Sequence, residues 1–155
     1  MEIKGFDQKK KQYKIANYTV ELVKDSSIPV DSRLADAPDK AAKIIREFIG
    51  NTDREHFVCL LLNSRNQLIG INQVSVGTMS ASLVHPREVF KPAILANAGA
   101  IIIAHNHPSG DATPSPEDKV ATRRIKESGE LLGIPLLDHV IIGDSFFSFR
   151  LAGLI

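Results

Sequence analysis

His105 and His107 stand two apart, and after ten intervening residues comes an acid, Asp118. The run before them, Ala100-Ile-Ile-Ile-Ala104, is apolar and short enough for a buried strand. Side chains two apart on a strand share a face, so both imidazoles point the same way if the extended chain continues through them. Ser115-Pro116-Glu117-Asp118 reads as a helix start, with a Ser cap, Pro at the first helical position and acids in the first turn. The turn-rich loop between can fold back and set that first turn beside the strand end. Two imidazole nitrogens and one carboxylate oxygen make three ligands for a catalytic Zn²⁺, with a fourth position left to water. Bound zinc lowers the pKa of that water to about 7, and a further carboxylate is then wanted to take its proton. The same residues have plainer uses. Ser115 and Asp118 also spell a capping box, and both histidines could bond to loop carbonyls. Capping and ligation are compatible.

The elements that must hold these residues are legible from periodicity. Asp36-Ala-Pro38 opens a helix whose Ala41, Ile44, Ile45, Phe48 and Ile49 fall on one face and which Gly50 ends. His56 to Leu62 is apolar with little alternation, as in a strand buried on both faces. Asn63 to Asn66 is a turn, and Gln67 to Val76 returns as a second strand, with Gly70 at a bulge. Tyr18 to Val23 alternates and predicts another strand. Pro86 predicts a short turn, and Pro92, which a regular helix tolerates badly in its interior, starts a second helix through Ala98. The helix from Pro116 carries Val120, Ala121, Ile125 and Leu131 inward and stops at Gly129 or Gly133. Leu136 to Ile142 and Ser145 to Arg150 form a last hairpin across Gly143-Asp144. The sum is a mixed β-sheet of about six strands with flanking helices, an α/β layer fold.

The string His105-Asn106-His107-Pro108, then six residues, then Ser115-x-x-Asp118, resembles the JAMM motif of the JAB/MPN metalloprotease superfamily. The fuller string HNHPSGDATPSPED, with HPREVF before it and LLDHVIIGD after it, is similar to the bacterial RadC family from about Arg54 to the C-terminus. This resemblance implies a single JAB/MPN-type domain (a cytidine-deaminase-like architecture) over residues 1–155. It implies one Zn²⁺ per chain on His105, His107 and Asp118, and hydrolysis of a peptide or isopeptide bond in a peptide or protein substrate. Spacing alone leaves Glu55, Glu88 and Glu117 open as the general base. JAMM domains place their catalytic Glu just ahead of a strand reading small-Leu-Leu-Leu. Glu55-His-Phe-Val-Cys-Leu-Leu-Leu62 is similar, so the resemblance implies Glu55. It also implies that Ser115 steadies the tetrahedral oxyanion, where the residues alone give an N-cap.

Neighbouring polar residues receive structural readings. Asn106 faces away from the metal and braces the loop, and Glu117 points elsewhere around its helix. Asp111 bonds its own turn. His139 beside Asp138 invites a role behind a ligand but is expected to be satisfied locally at the start of its strand. His56 and His85 are structural, and Cys59 is a small buried hydrophobe.

Composition bounds the rest. The 155 residues are 43% hydrophobic and 24% charged, ordinary for a globular domain. A net charge of +1 gives no general electrostatic case for nucleic acid. Lys9 to Lys11 fall in residues 1–12, expected to be a flexible basic arm. The single cysteine excludes an internal disulfide and the P-C-x-x-C half of a zinc deaminase site. No apolar run approaches the roughly 18–20 residues that cross a membrane, and MEIKGFDQKKKQ lacks a signal-peptide core. The expectation is a cytoplasmic protein. The alternative function is a DNA-repair-associated accessory or nucleic-acid-binding module with a structural or inactive metal site. Longer RadC members carry an N-terminal helix-hairpin-helix region, and residues 1–50 here hold no G-x-G hairpin signal. JAMM relatives often work with a partner protein, and the apolar tail Leu151 to Ile155 could serve a homo-oligomer contact.

Overall fold

A computed structural model describes residues 12–77 and 84–155. In chain order it contains α1 (Pro38–Ile49), β1 (His56–Leu62), β2 (Leu68–Val76), α2 (Pro86–Leu95), β3 (Ala100–Asn106), α3 (Pro116–Leu132), β4 (Leu136–Ile142) and β5 (Phe146–Ser148). The strands form one mixed sheet in the order β2-β1-β3-β4-β5. β1 is antiparallel to both β2 and β3, β3 and β4 run parallel, and β4 and β5 form an antiparallel hairpin. The parallel pair requires a crossover, and α3 supplies it.

Alternation along the central strands divides the core in two. Val58, Leu60 and Leu62 of β1, with Ile102 and Ala104 of β3, face α1 through Ala41, Ile44 and Ile45. Phe57, Cys59 and Leu61, with Ile101 and Ile103, face α2 and α3 through Val89, Phe90, Ala93 and Ile125. Both faces are covered, which is why β1 and β3 read as near-continuous apolar runs. Burial pushes the Cys59 thiol up to about 12, as suits a buried hydrophobe. Opposite Gly70 the β1–β2 register slips, with Leu61 facing Gly70 and Leu62 facing Leu68, so the expected bulge is present.

Several expectations fail for identifiable reasons. Among the described residues the sheet has five strands, because Tyr18 to Val23 is irregular, with Tyr18 84% and Val23 81% exposed. Alternation alone does not make a strand, and this segment pairs with neither edge of the sheet, β2 or β5. Pro92 does not begin a helix; it lies inside a single helix, α2. The lost hydrogen bond and ring clash cost about 3 kcal/mol. Full burial of Val89, Phe90 and Ala93 against the sheet, with about 1.5–3 kcal/mol for each large apolar side chain, outweighs that. On α3 the inward stripe is Asp118, Ala121, Thr122, Ile125 and Gly129, at helical spacing, which leaves Val120 and Leu131 outside. At the tail, Leu151 and Leu154 are exposed while Ile155 packs against the core. The basic run Lys9 to Lys11 lies outside the described residues. Among the described residues no helix is long and apolar enough to cross a membrane.

Candidate metal centre

β3 extends through Asn106, so His105 is a strand residue and keeps the facing of Ile101 and Ile103. Its ring stacks on Phe57 of β1 and is almost fully buried. His107 lies just past the strand end, where its N–H still donates to the Ile142 carbonyl of β4 at 2.8 Å. The loop that follows is pinned in turn. Asp144 N–H donates to the Gly110 carbonyl at 2.7 Å, and the backbones approach so closely that Gly143 has no room for a Cβ. Gly133 ends α3 in the left-handed conformation.

Asp118 arrives through the helix cap. Ser115 Oγ accepts from Asp118 N–H at 3.1 Å, and Asp118 Oδ2 accepts from Ser115 N–H at 2.7 Å, a complete capping box. Ser115 Oγ–H also donates to Asp118 Oδ2 at 2.7 Å. Capping and convergence on the histidines therefore coexist in one carboxylate. His105 Nε2 is 3.1 Å from Asp118 Oδ1, His107 Nε2 is 3.6 Å from Oδ2, and the two Nε2 atoms are 3.0 Å apart. One ligand atom from each residue fits within 4.8 Å of the others.

The donor chemistry fits a cation. His107 Nδ1 lies 2.7 Å from the Asp111 carbonyl oxygen, which can only accept, so the proton sits on Nδ1 and Nε2 presents a lone pair. A carboxylate also offers only lone pairs. Lone pairs this close repel unless a proton or a cation stands among them, and a two-His, one-carboxylate set suits a divalent metal. The surroundings favour the carboxylate anion. Burial resists ionisation of Asp118, but the imidazole of His105, 3.1 Å from Oδ1, and the two bonds from Ser115 outweigh it and hold the carboxyl well below the usual range.

Glu55 precedes β1 and lines the same cavity of about 220 Å³ with His105, His107, Ser115, Glu117, Asp118 and Ala121. The structure thus brings Glu55 and Ser115 to the same cavity as His105, His107 and Asp118. Glu88, the third acid considered, pairs with Lys91 and Arg87 on α2. Glu117, exposed in the first turn of α3, is also among the residues that line the cavity. Asn106 does more than brace its loop. Its Oδ1 accepts from His56 N–H at 2.7 Å and its Nδ2 donates to the Arg54 carbonyl at 2.9 Å, clasping the backbone on both sides of Glu55.

His139 is not satisfied within its own strand turn. Its Nε2 lies 2.9 Å from His105 Nδ1 and its Nδ1 lies 2.6 Å from Thr122 Oγ1. Sequence reasoning missed Thr122 altogether, although parallel pairing of the two apolar strands would have put His139 on the same face as His105. Asp138 turns the other way, accepting from Ser148 Oγ–H at 2.6 Å and Arg150 N–H at 3.0 Å. His56 bonds Thr52 and Gln73, His85 caps α2, and Asp111 Oδ1 accepts from Thr113 N–H, as expected of structural groups.

A mixed sheet whose central strand delivers His-x-His to the capped start of a crossover helix defines an α/β domain of the JAB/MPN type with a candidate metal centre. A family model described as the RadC-like JAB domain matches residues 35–154, and the chain belongs to that family. Among its relatives are proteins named UPF0758 protein. The one from Rubrobacter xylanophilus is 51% identical over 119 residues, 77% of this chain and 52% of its own length. The Desulforamulus reducens protein is 47% identical over 132 residues, 84% of this chain and 58% of its own length. The Desulforudis audaxviator protein is 52% identical over 118 residues, 76% of this chain and 51% of its own length. The chain spans about half the length of the curated relatives it matches.

Proposed function

We propose that this chain is a zinc-dependent hydrolase of the JAMM type that cleaves a peptide or isopeptide bond. The observation that carries the reading is the convergence of His105 Nε2, His107 Nε2 and the Asp118 carboxylate in one small cavity with Glu55 on its wall. These residues would hold Zn²⁺, which supplies Lewis acidity at a carbonyl and a water ionised near neutral pH. Glu55 accepts the proton of the attacking water and passes it to the leaving amine. Asn106 keeps Glu55 at the rim by holding the backbone on either side of it. Ser115 lines the cavity and, with its hydroxyl turned from Asp118, donates to the developing oxyanion. Partner chemistry follows from the reaction: an extended peptide, or a protein carrying an isopeptide branch, with its carbonyl presented to the cavity.

Metal content of the untagged protein, measured by mass spectrometry beside His107→Ala, tests the reading. About one zinc per chain, lost in the variant, supports it and leads to a screen of peptide and isopeptide substrates. Absence of stoichiometric metal after zinc addition refutes it and favours the accessory-module alternative.

A further inference from the structure

A ligating histidine usually donates its second ring N–H to a carboxylate, a backbone carbonyl or water, and that partner fixes the tautomer. Among the described residues, His105 departs from this pattern. Its Nδ1 faces another imidazole, His139 Nε2, at 2.9 Å. Two neutral imidazoles can share that contact in either direction, and only one direction leaves His105 Nε2 free to bind a metal.

We propose that Thr122 and His139 fix the direction, so that His139 is a positioning residue that keeps the ligand nitrogen of His105 unprotonated. The deduction begins on the helix backbone. Thr122 Oγ1 lies 2.6 Å from the Asp118 carbonyl oxygen, which has no proton to give, so the single hydroxyl proton of Thr122 points there. Thr122 then presents only a lone pair to His139 Nδ1 at 2.6 Å, and Nδ1 must carry the proton. His139 is fully buried, with Phe149 stacked at 4.7 Å, Phe57 at 5.9 Å and no carboxylate among its hydrogen-bond partners. With its Nδ1–H directed at Thr122 and no acid at hydrogen-bond distance, the ring holds its single N–H on that side. Its Nε2 is therefore bare and accepts from His105 Nδ1–H, which leaves His105 Nε2 as a lone pair toward Asp118 and His107. The relay starts at the carbonyl of Asp118 and ends beside the carboxylate of the same residue, so the first turn of α3 both supplies one ligand and sets the tautomer of another. The inference rests on the metal reading above.

Two readouts test it on the full chain, neither of them turnover. Long-range ¹H–¹⁵N NMR of the imidazoles should show His139 as the Nδ1–H tautomer and His105 protonated at Nδ1. Zinc competition against a chromophoric chelator should show His139→Phe, which keeps the ring stacking and loses the acceptor, binding about 10–100-fold more weakly. His139→Gln, whose amide oxygen can accept from His105 Nδ1–H, should recover most of that loss. Thr122→Val should weaken zinc binding in the same direction and Thr122→Ser should restore it, a pair that carries the test if His139→Phe fails to fold. An Nε2–H tautomer at His139 in the wild type overturns the relay, as does zinc affinity unchanged in both His139→Phe and Thr122→Val. If the wild type itself shows no zinc affinity, the metal reading fails, and the tautomers still decide the relay.

Discussion

Removing the Asn106 amide should loosen Glu55 without touching the metal ligands. The side chain is 8% exposed and makes two hydrogen bonds, 2.7 Å from His56 N–H and 2.9 Å to the Arg54 carbonyl. Each is worth about 0.5–1.5 kcal/mol net, so Asn106→Ala should cost about 2 kcal/mol. At this chain length that is roughly 4–8 °C in Tm. Urea denaturation should show a lower midpoint with an unchanged slope, the signature of altered stability rather than altered compactness. Amide exchange should speed up at His56, whose N–H loses its acceptor, and stay slow at Ile102 and Ile103 in the middle of β3. Zinc stoichiometry should persist, because all three ligands lie on β3, its end and α3. Turnover should fall by up to about 10²-fold, since a base displaced by an ångström loses its alignment. A variant with wild-type midpoint and unaltered His56 exchange would refute the clasp and leave Glu55 placed by something else.

Glu55→Gln should retain zinc and lose turnover; turnover kept at wild-type level removes Glu55 as the base and points to Glu117, the other glutamate on the cavity wall. Asp138 gives a pH prediction away from the metal. Burial, only partly offset by Ser148 and Arg150, raises its carboxyl above the ordinary 3.8. A raised native value means its contribution to stability is fully present below about 3.8 and is lost as pH rises through the native value. Asp138→Asn should flatten that limb of the stability-versus-pH curve, measured by denaturation on metal-free protein; an unchanged limb would show that Asp138 does not titrate differently in the two states.

The convergence of His105, His107 and Asp118 was legible because each member obeys a local rule. His105 and His107 follow strand alternation, and Asp118 follows capping chemistry, so both devices can be read in a one-dimensional string. Glu55 was reached by resemblance, since nothing local distinguishes it from Glu88 or Glu117. The Asn106 clasp joins residues fifty positions apart, and the Thr122–His139–His105 chain depends on β3 and β4 being parallel neighbours. No periodicity encodes such pairings. The same limit explains Tyr18 to Val23, whose strand-like pattern pairs with no strand of the sheet, and Pro92, where a helix-breaking residue was overridden by burial of the residues around it.

Topology explains why the groups meet at this one place. In the antiparallel pair β1 and β3, the start of one strand lies beside the end of the other, with Phe57 opposite His105. Glu55, two residues before Phe57, is therefore delivered to the carboxyl end of β3 even though fifty residues separate the two histidine-bearing and acid-bearing segments. In the parallel pair β3 and β4, the crossover must leave from that same end, so α3 begins there and brings Ser115 and Asp118. β4 then returns beside β3 and sets His139 opposite Ile103, on the face that His105 shares. A sheet antiparallel throughout would supply the acid but not the capped helix, and one parallel throughout would supply the helix but send the acid to the far end. The mixed pairing around β3 is what lets one strand end collect Glu55, the candidate metal-binding trio and the imidazole of His139 behind His105.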